Sequence, residues 1–233
     1  MASATVRFFQ IYQYIVPLVM FPVSYWLWWS RYGQDHRMAI LALVPVILFA
    51  YIVPGIGTNV LKLWEFNTRY RIGRFRPQHG FVFGTATSLL ALACLPYPAA
   101  TPGPLEWARA AFVIGSVLGF WNWLYDQHAI RSGFLVVYNR AFAEQRGPEA
   151  IAADYCPPFF AATGMVYGFA IRFGEYVVVT LEEPGWFWAL LIGSTTALLL
   201  VPTAVFEIWK RLATGETGLV SHASTNPADS TDR

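Results

Sequence analysis

Four acidic side chains stand where apolar runs of the chain meet polar segments. Glu65 follows the second run in Lys62-Leu63-Trp64-Glu65-Phe66-Asn67, Asp126 closes the fourth, Asp154 precedes the fifth and Glu207 lies in the last turns of the sixth. Burial penalises the charged form of a carboxyl group, and a carboxyl that holds its proton near neutral pH can act as general acid or base. Glu65, beside the aromatic anchor Trp64, is the favoured catalytic group, with Asp126 and Glu207 as further candidates. Arg69, Arg74 and Arg76 fall at the same level, with His79, His128 and Asp154. Together they suggest one polar pocket for substrate, in which guanidinium groups grip a phosphate or carboxylate head bidentately. In the competing reading the arginines only orient the chain in a membrane and the acids only pair with them.

A second group lies deep in an apolar run. Arg172 and Glu175 are three residues apart, which allows an intrahelical ion pair. An ionised side chain in lipid costs a few kcal/mol even on lenient scales, so both should face a protein interior. Other chemistries are discounted by composition. His36, His79, His128 and His222 show no clustered metal-ligand spacing, and two cysteines cannot make a zinc or iron–sulfur site alone. No glycine-rich phosphate loop follows a strand, because no convincing strand is legible. The expectation is no metal and no cofactor.

The elements that position these residues are apolar helices. The 233 residues are 56% hydrophobic and only 13% charged, against about 25% in a typical soluble domain. A bilayer core about 30 Å thick needs about 20 apolar residues per helix, and six segments approach that length: 8–29, 38–62, 80–97, 108–125, 158–180 and 186–209. The expected fold is an all-α integral membrane bundle of about six transmembrane helices. The first run lacks a small-residue cleavage site and should remain as the first span. Pro45 and the Pro54-Gly55-Ile56-Gly57 stretch predict a kink, or a break that lines a cavity, in span two.

Loop charge sets the orientation. Lys62, Arg69, Arg71, Arg74 and Arg76 follow span two, Arg131, Arg140 and Arg146 follow span four, Lys210 and Arg211 follow span six, and Arg7 precedes span one. The opposite loops hold only Arg31, Arg37 and Arg109. The positive-inside rule then places both termini in the cytoplasm of a multi-pass protein of the cell membrane. Cys94 and Cys156 fall toward opposite sides, so no disulfide is expected. Between spans four and five, Ile130, Phe134, Val137, Tyr138 and Ala141 recur at helical spacing and predict an amphipathic helix on the cytoplasmic surface, ended by Gly147-Pro148, with Asp154 capping span five. Residues 1–211 form one transmembrane helical domain, and 212–233 read as a disordered cytoplasmic tail. Gly115 to Gly119 and Gly164 to Gly168 have the spacing of close helix packing.

With the Trp64-Glu65 dipeptide at the end of an early span, the small size and the lack of cofactor motifs, the chain resembles the membrane-bound terpene cyclases of meroterpenoid pathways. That resemblance implies acidic residues that protonate an isoprenoid; the arginine-rich stretch Arg69 to Arg76 and the long 126–157 segment depart from it. The functional expectation is a cofactor-independent membrane enzyme of isomerase or cyclase type, transferring protons on an isoprenoid, sterol-like or other lipid. Its partners would be membrane lipids and a lipophilic substrate, and nothing reads as a nucleic-acid face. The alternatives are a noncatalytic subunit or assembly factor that meets partner subunits or a second copy of itself, and a small transporter gated by Arg172 and Glu175.

Overall fold

A backbone surrounded by apolar side chains has little water to bond and closes its hydrogen bonds within helices. The computed structural model describes residues 4–97 and 102–223, and 75% of the described residues are helical. Helix α1 (Ala4–Ile15) passes through one wide π-type turn, Val16–Met20, into α2 (Phe21–Arg31). The widened turn contains Pro17 and is followed by Pro22, whose missing N–H groups relax the ladder. Helix α3 (His36–Asn59) is capped by Asp35, whose carboxylate accepts from the Arg37 N–H at 2.8 Å. After α3 come strand β1 (Trp64–Phe66), α4 (His79–Cys94), α5 (Pro104–Arg131), strand β2 (Leu135–Val137), and the short α6 (Arg140–Ala143) and α7 (Pro148–Ala153). The chain closes with α8 (Cys156–Glu175), extended through Thr180 by a second wide turn, and α9 (Phe187–Thr214).

Three helical stretches are long and apolar enough to cross a membrane: Ala4–Arg31, His36–Asn59 and Pro184–Thr214. Helix α4 is apolar but shorter, and α5 and α8 have the length without the same apolarity. Helices α5 and α8 pack closest, glycine against backbone. A Cβ on Gly164 would lie 2.5 Å from the Ile114 carbonyl oxygen, and one on Gly168 would lie 2.5 Å from that of Ala110. The main core, with Trp28, Phe49, Leu118, Tyr167 and Leu198 at its centre, lies among the helices. A smaller core of Phe9, Phe66, Phe75, Phe134 and Val137 closes one end.

That end is where the structure departs from the sequence reading. Strands β1 and β2 pair antiparallel, with Trp64 opposite Val137 and Phe66 opposite Leu135, so the connections after α3 and α5 are joined by a ladder. The 126–157 segment, expected to carry an amphipathic helix, is therefore built of the end of α5, a strand and two short helices. Gly133, at φ 72°, turns the chain out of α5, and the β-branched Val136 and Val137 enter the ladder. Gly147-Pro148 begins α7 rather than ending a helix. Asp154 does not cap α8 but binds Lys210, with its oxygen 2.7 Å from Nζ. Helix α3 is unbroken through Pro45 and Pro54, and the Trp64 ring occupies the space beside Gly57. Helix α9 runs past residue 211 to Thr214, and the chain beyond it is tied down: Ser221 Oγ donates to the Lys62 carbonyl at 2.7 Å and the His222 N–H to that of Tyr138 at 2.8 Å. The expected disorder over 224–233 lies outside the described residues. Both cysteines are free.

Candidate functional site

Helix α5 is 28 residues long, roughly 42 Å at 1.5 Å per residue, so its last turns reach beyond the apolar stretch that ends at Tyr125. Asp126 stands in those turns yet is only 7% exposed. One of its oxygens accepts from the Tyr155 hydroxyl at 2.6 Å and lies 3.3 Å from Cys156 Sγ. Burial pushes its carboxyl up to about 6, against the lowering pull of those bonds and of Arg76.

Arg76 is 1% exposed and has no carboxylate in ion-pair contact among the described residues. Its Nε and one terminal nitrogen approach His79 Nδ1 at 3.1 and 3.0 Å, and the other donates to the Tyr12 hydroxyl at 3.1 Å. Tyr12 in turn pairs with the Tyr125 hydroxyl. The guanidinium lies over Phe66 and Phe134, 4.6 and 5.1 Å from their ring centroids, so quadrupoles help to hold its charge. Only neutral imidazole can accept through Nδ1, and burial first, then Arg76, holds His79 well below its usual range. The loop before α4 and its first residue, the last turn of α1 and the end of α5 thus bring Arg76, His79, Tyr12 and Tyr125 up to Asp126.

Glu65 belongs to a different cluster. Side chains alternate across a strand, and Trp64 and Phe66 of β1 pack inward, against Gly57 and Arg76 respectively. Glu65 therefore faces the other way, accepting from the Tyr138 hydroxyl at 2.7 Å, with Arg74 Nε 3.8 Å away. The expected single pocket is thus two clusters on opposite faces of β1. Glu207 is taken up by structure: it accepts from Arg211 at 2.6 Å, from the Thr217 hydroxyl at 2.9 Å and from the Gly218 N–H at 3.0 Å. His128 is exposed and donates to the Leu124 carbonyl of its own helix. Arg69 is exposed at the rim of a cavity of about 280 Å³.

Arg172 and Glu175 meet at the opposite end, 2.7 Å apart and both buried. Arg172 also lies 3.2 Å from Glu106 and donates to the Pro96 carbonyl at 2.7 Å, while Tyr32 donates to Glu175 at 2.7 Å. The pair is thus a node joining α5, α8 and the turns after α2 and α4.

Sequence reasoning missed the phenols Tyr12, Tyr125, Tyr138 and Tyr155, each of which bonds a member of these clusters. Two carried a local signal, as Tyr125-Asp126 and Asp154-Tyr155 place a phenol next to an acid at a span end. Among the described residues no group of three or more His, Cys, Asp or Glu side chains could hold a metal ion. Comparison with protein-family models, curated proteins and solved structures finds no match to this chain.

Proposed function

We propose that the chain crosses the cytoplasmic membrane six times, with both ends inside, and is a cofactor-independent enzyme that moves a proton on an isoprenoid, sterol-like or other lipid. Asp126, rather than Glu65, is the acid or base. The observation that carries this is the buried Asp126 carboxyl at about 6, hydrogen-bonded to Tyr155. At cytoplasmic pH such a group is protonated for a small fraction of the time and regains its proton readily, which suits an isomerase or cyclase that takes and returns protons. Tyr12 and Tyr125 offer a hydroxyl path toward Asp126.

The test uses the full chain in lipid nanodiscs in D2O, given a mixture of prenyl alcohols, prenylated quinones and sterols. Mass spectrometry of the extracted lipids should find deuterium on carbon, or a shifted isomer, in one lipid class. Asp126→Asn should remove the signal. An active Asp126→Asn protein overturns the assignment, and a wild-type protein that exchanges nothing but carries a stoichiometric protein partner favours the noncatalytic subunit.

A further inference from the structure

The cavity of about 280 Å³ beside the N-terminal helix is lined by Val6 and Gln10 of α1, by Asn67, Thr68 and Arg69 after β1, and by the Ser132 to Phe134 turn. At about 30 Å³ per water this holds roughly nine waters, room for a headgroup and not for a lipid chain. The lining is well fixed. Asn67 N–H donates to the Phe134 carbonyl at 2.8 Å, Thr68 Oγ1 accepts from buried Gln13 at 3.3 Å, and Phe134 stacks on Phe9 with centroids 5.0 Å apart. Among the described residues no carboxylate lines it, and the Gln10 and Asn67 amides and the Arg69 guanidinium have no hydrogen-bond or ion-pair partner. A rigid, acid-free cup that presents a free guanidinium and two free amides is built for an anion with several acceptor oxygens.

Its place in the molecule says which anion. Phe8, Ile11 and Ile15 of α1, continued by Leu18 in the wide turn after it, form an exposed apolar stripe, while Val6 and Gln10 face the cup. The stripe begins at the level of the cup, and the loop that supplies Arg69 carries Tyr70 and Ile72 at 64% and 65% exposure. In a membrane this is the headgroup layer. The geometry points to a binding site for the phosphate group of a lipid, held by Arg69, Asn67 and Gln10, with the lipid's chains along the α1 stripe. The site goes beyond the proton-transfer reading and does not depend on it.

Full-length protein would be reconstituted in phosphatidylcholine nanodiscs containing a minor share of phosphatidic acid, and the lipid retained per chain counted by native mass spectrometry. Inorganic phosphate would be tested separately for a rise in melting temperature. The wild type should retain phosphatidic acid selectively. Losing a charge-assisted pair worth at least about 1.4 kcal/mol should weaken that retention about tenfold in Arg69→Gln. Arg71→Gln, a neighbouring exposed arginine outside the cup, should match the wild type. If phosphate raises the melting temperature through Arg69 but no lipid is retained, the phosphate site stands with a soluble ligand. If neither ligand binds, or if Arg71→Gln falls as far as Arg69→Gln, surface charge is the whole effect and the site is overturned.

Discussion

A buried carboxyl group whose hydrogen bonds come from a phenol and a thiol carries a cost that depends on pH. The Asp126 carboxyl is raised from 3.8 to about 6, so between those values the folded chain holds more protons than the unfolded one. Stability linked to this proton is fully present below pH 3.8 and is lost as pH rises through about 6. The displacement amounts to about 3 kcal/mol. Detergent-solubilised wild type should therefore melt at lower temperature at pH 7.5 than at pH 4.5 by more than Asp126→Asn does, since the amide does not titrate. Equal pH slopes for the two proteins would show that this acid is not held up in the fold. Glu65 gives the contrasting case. It is half-buried and already satisfied by Tyr138 and Arg74. Glu65→Gln should keep most lipid turnover in the deuterium assay, and its complete loss would return the catalytic role to Glu65. The sequence made both acids candidates because it shows where an apolar run ends. It could not separate them, because which face of a strand a side chain takes depends on a ladder with residues seventy positions away.

At the scale of elements, long-period patterns were legible and short ones were not. The glycine spacing predicted close approach, and α5 and α8 do meet there: a Cβ on Gly164 would come within 2.7 Å of Gly115 Cα. Gly164→Val should lower the unfolding midpoint in a denaturing-detergent titration, by about 1–3 kcal/mol for overpacking a tight contact. Gly193→Val, with no neighbour within 4 Å of its Cβ, is the control and should be close to neutral. If both variants behave alike, the α5–α8 contact is looser than described. By contrast, three-residue strands such as β1 and β2 are too short for a period of two to stand out. The run Ile130, Phe134, Val137, Tyr138, Ala141 fits a helical period, yet Ile130, Val137 and Ala141 belong to three different elements that close one small core with Phe134, while Tyr138 turns to Glu65. Hydrophobic spacing reports that side chains are buried, and a turn at Gly133 decides against what.

The whole molecule has two polar ends, and this bears on the membrane reading. At one end β1 pairs with β2, Ser221 reaches Lys62, His222 reaches Tyr138 and Phe9 of α1 stacks on Phe134. The chain start, the connections after α3 and α5 and the chain after α9 thus all meet there, and they hold most of the basic residues. At the other end Arg31 and Arg172 both donate to the Pro96 carbonyl, and Arg172 reaches Glu106. This up-and-down path is what six spans require, although only three helical stretches have the length and apolarity to cross alone. A membrane-impermeant maleimide applied to intact cells tests it, in a Cys94→Ser, Cys156→Ala background. Gly103→Cys and Gly185→Cys stand on open backbone at the Arg172 end and should label from outside. Arg146→Cys and Ala213→Cys, exposed at the basic end, should label only after the cells are opened. A protein with only three spans would split one of these pairs, because α4, α5 and α8 would no longer carry the chain across. Labelling of both basic-end cysteines in intact cells would instead invert the orientation, placing Asp126 and the Arg69 cup on the outer face.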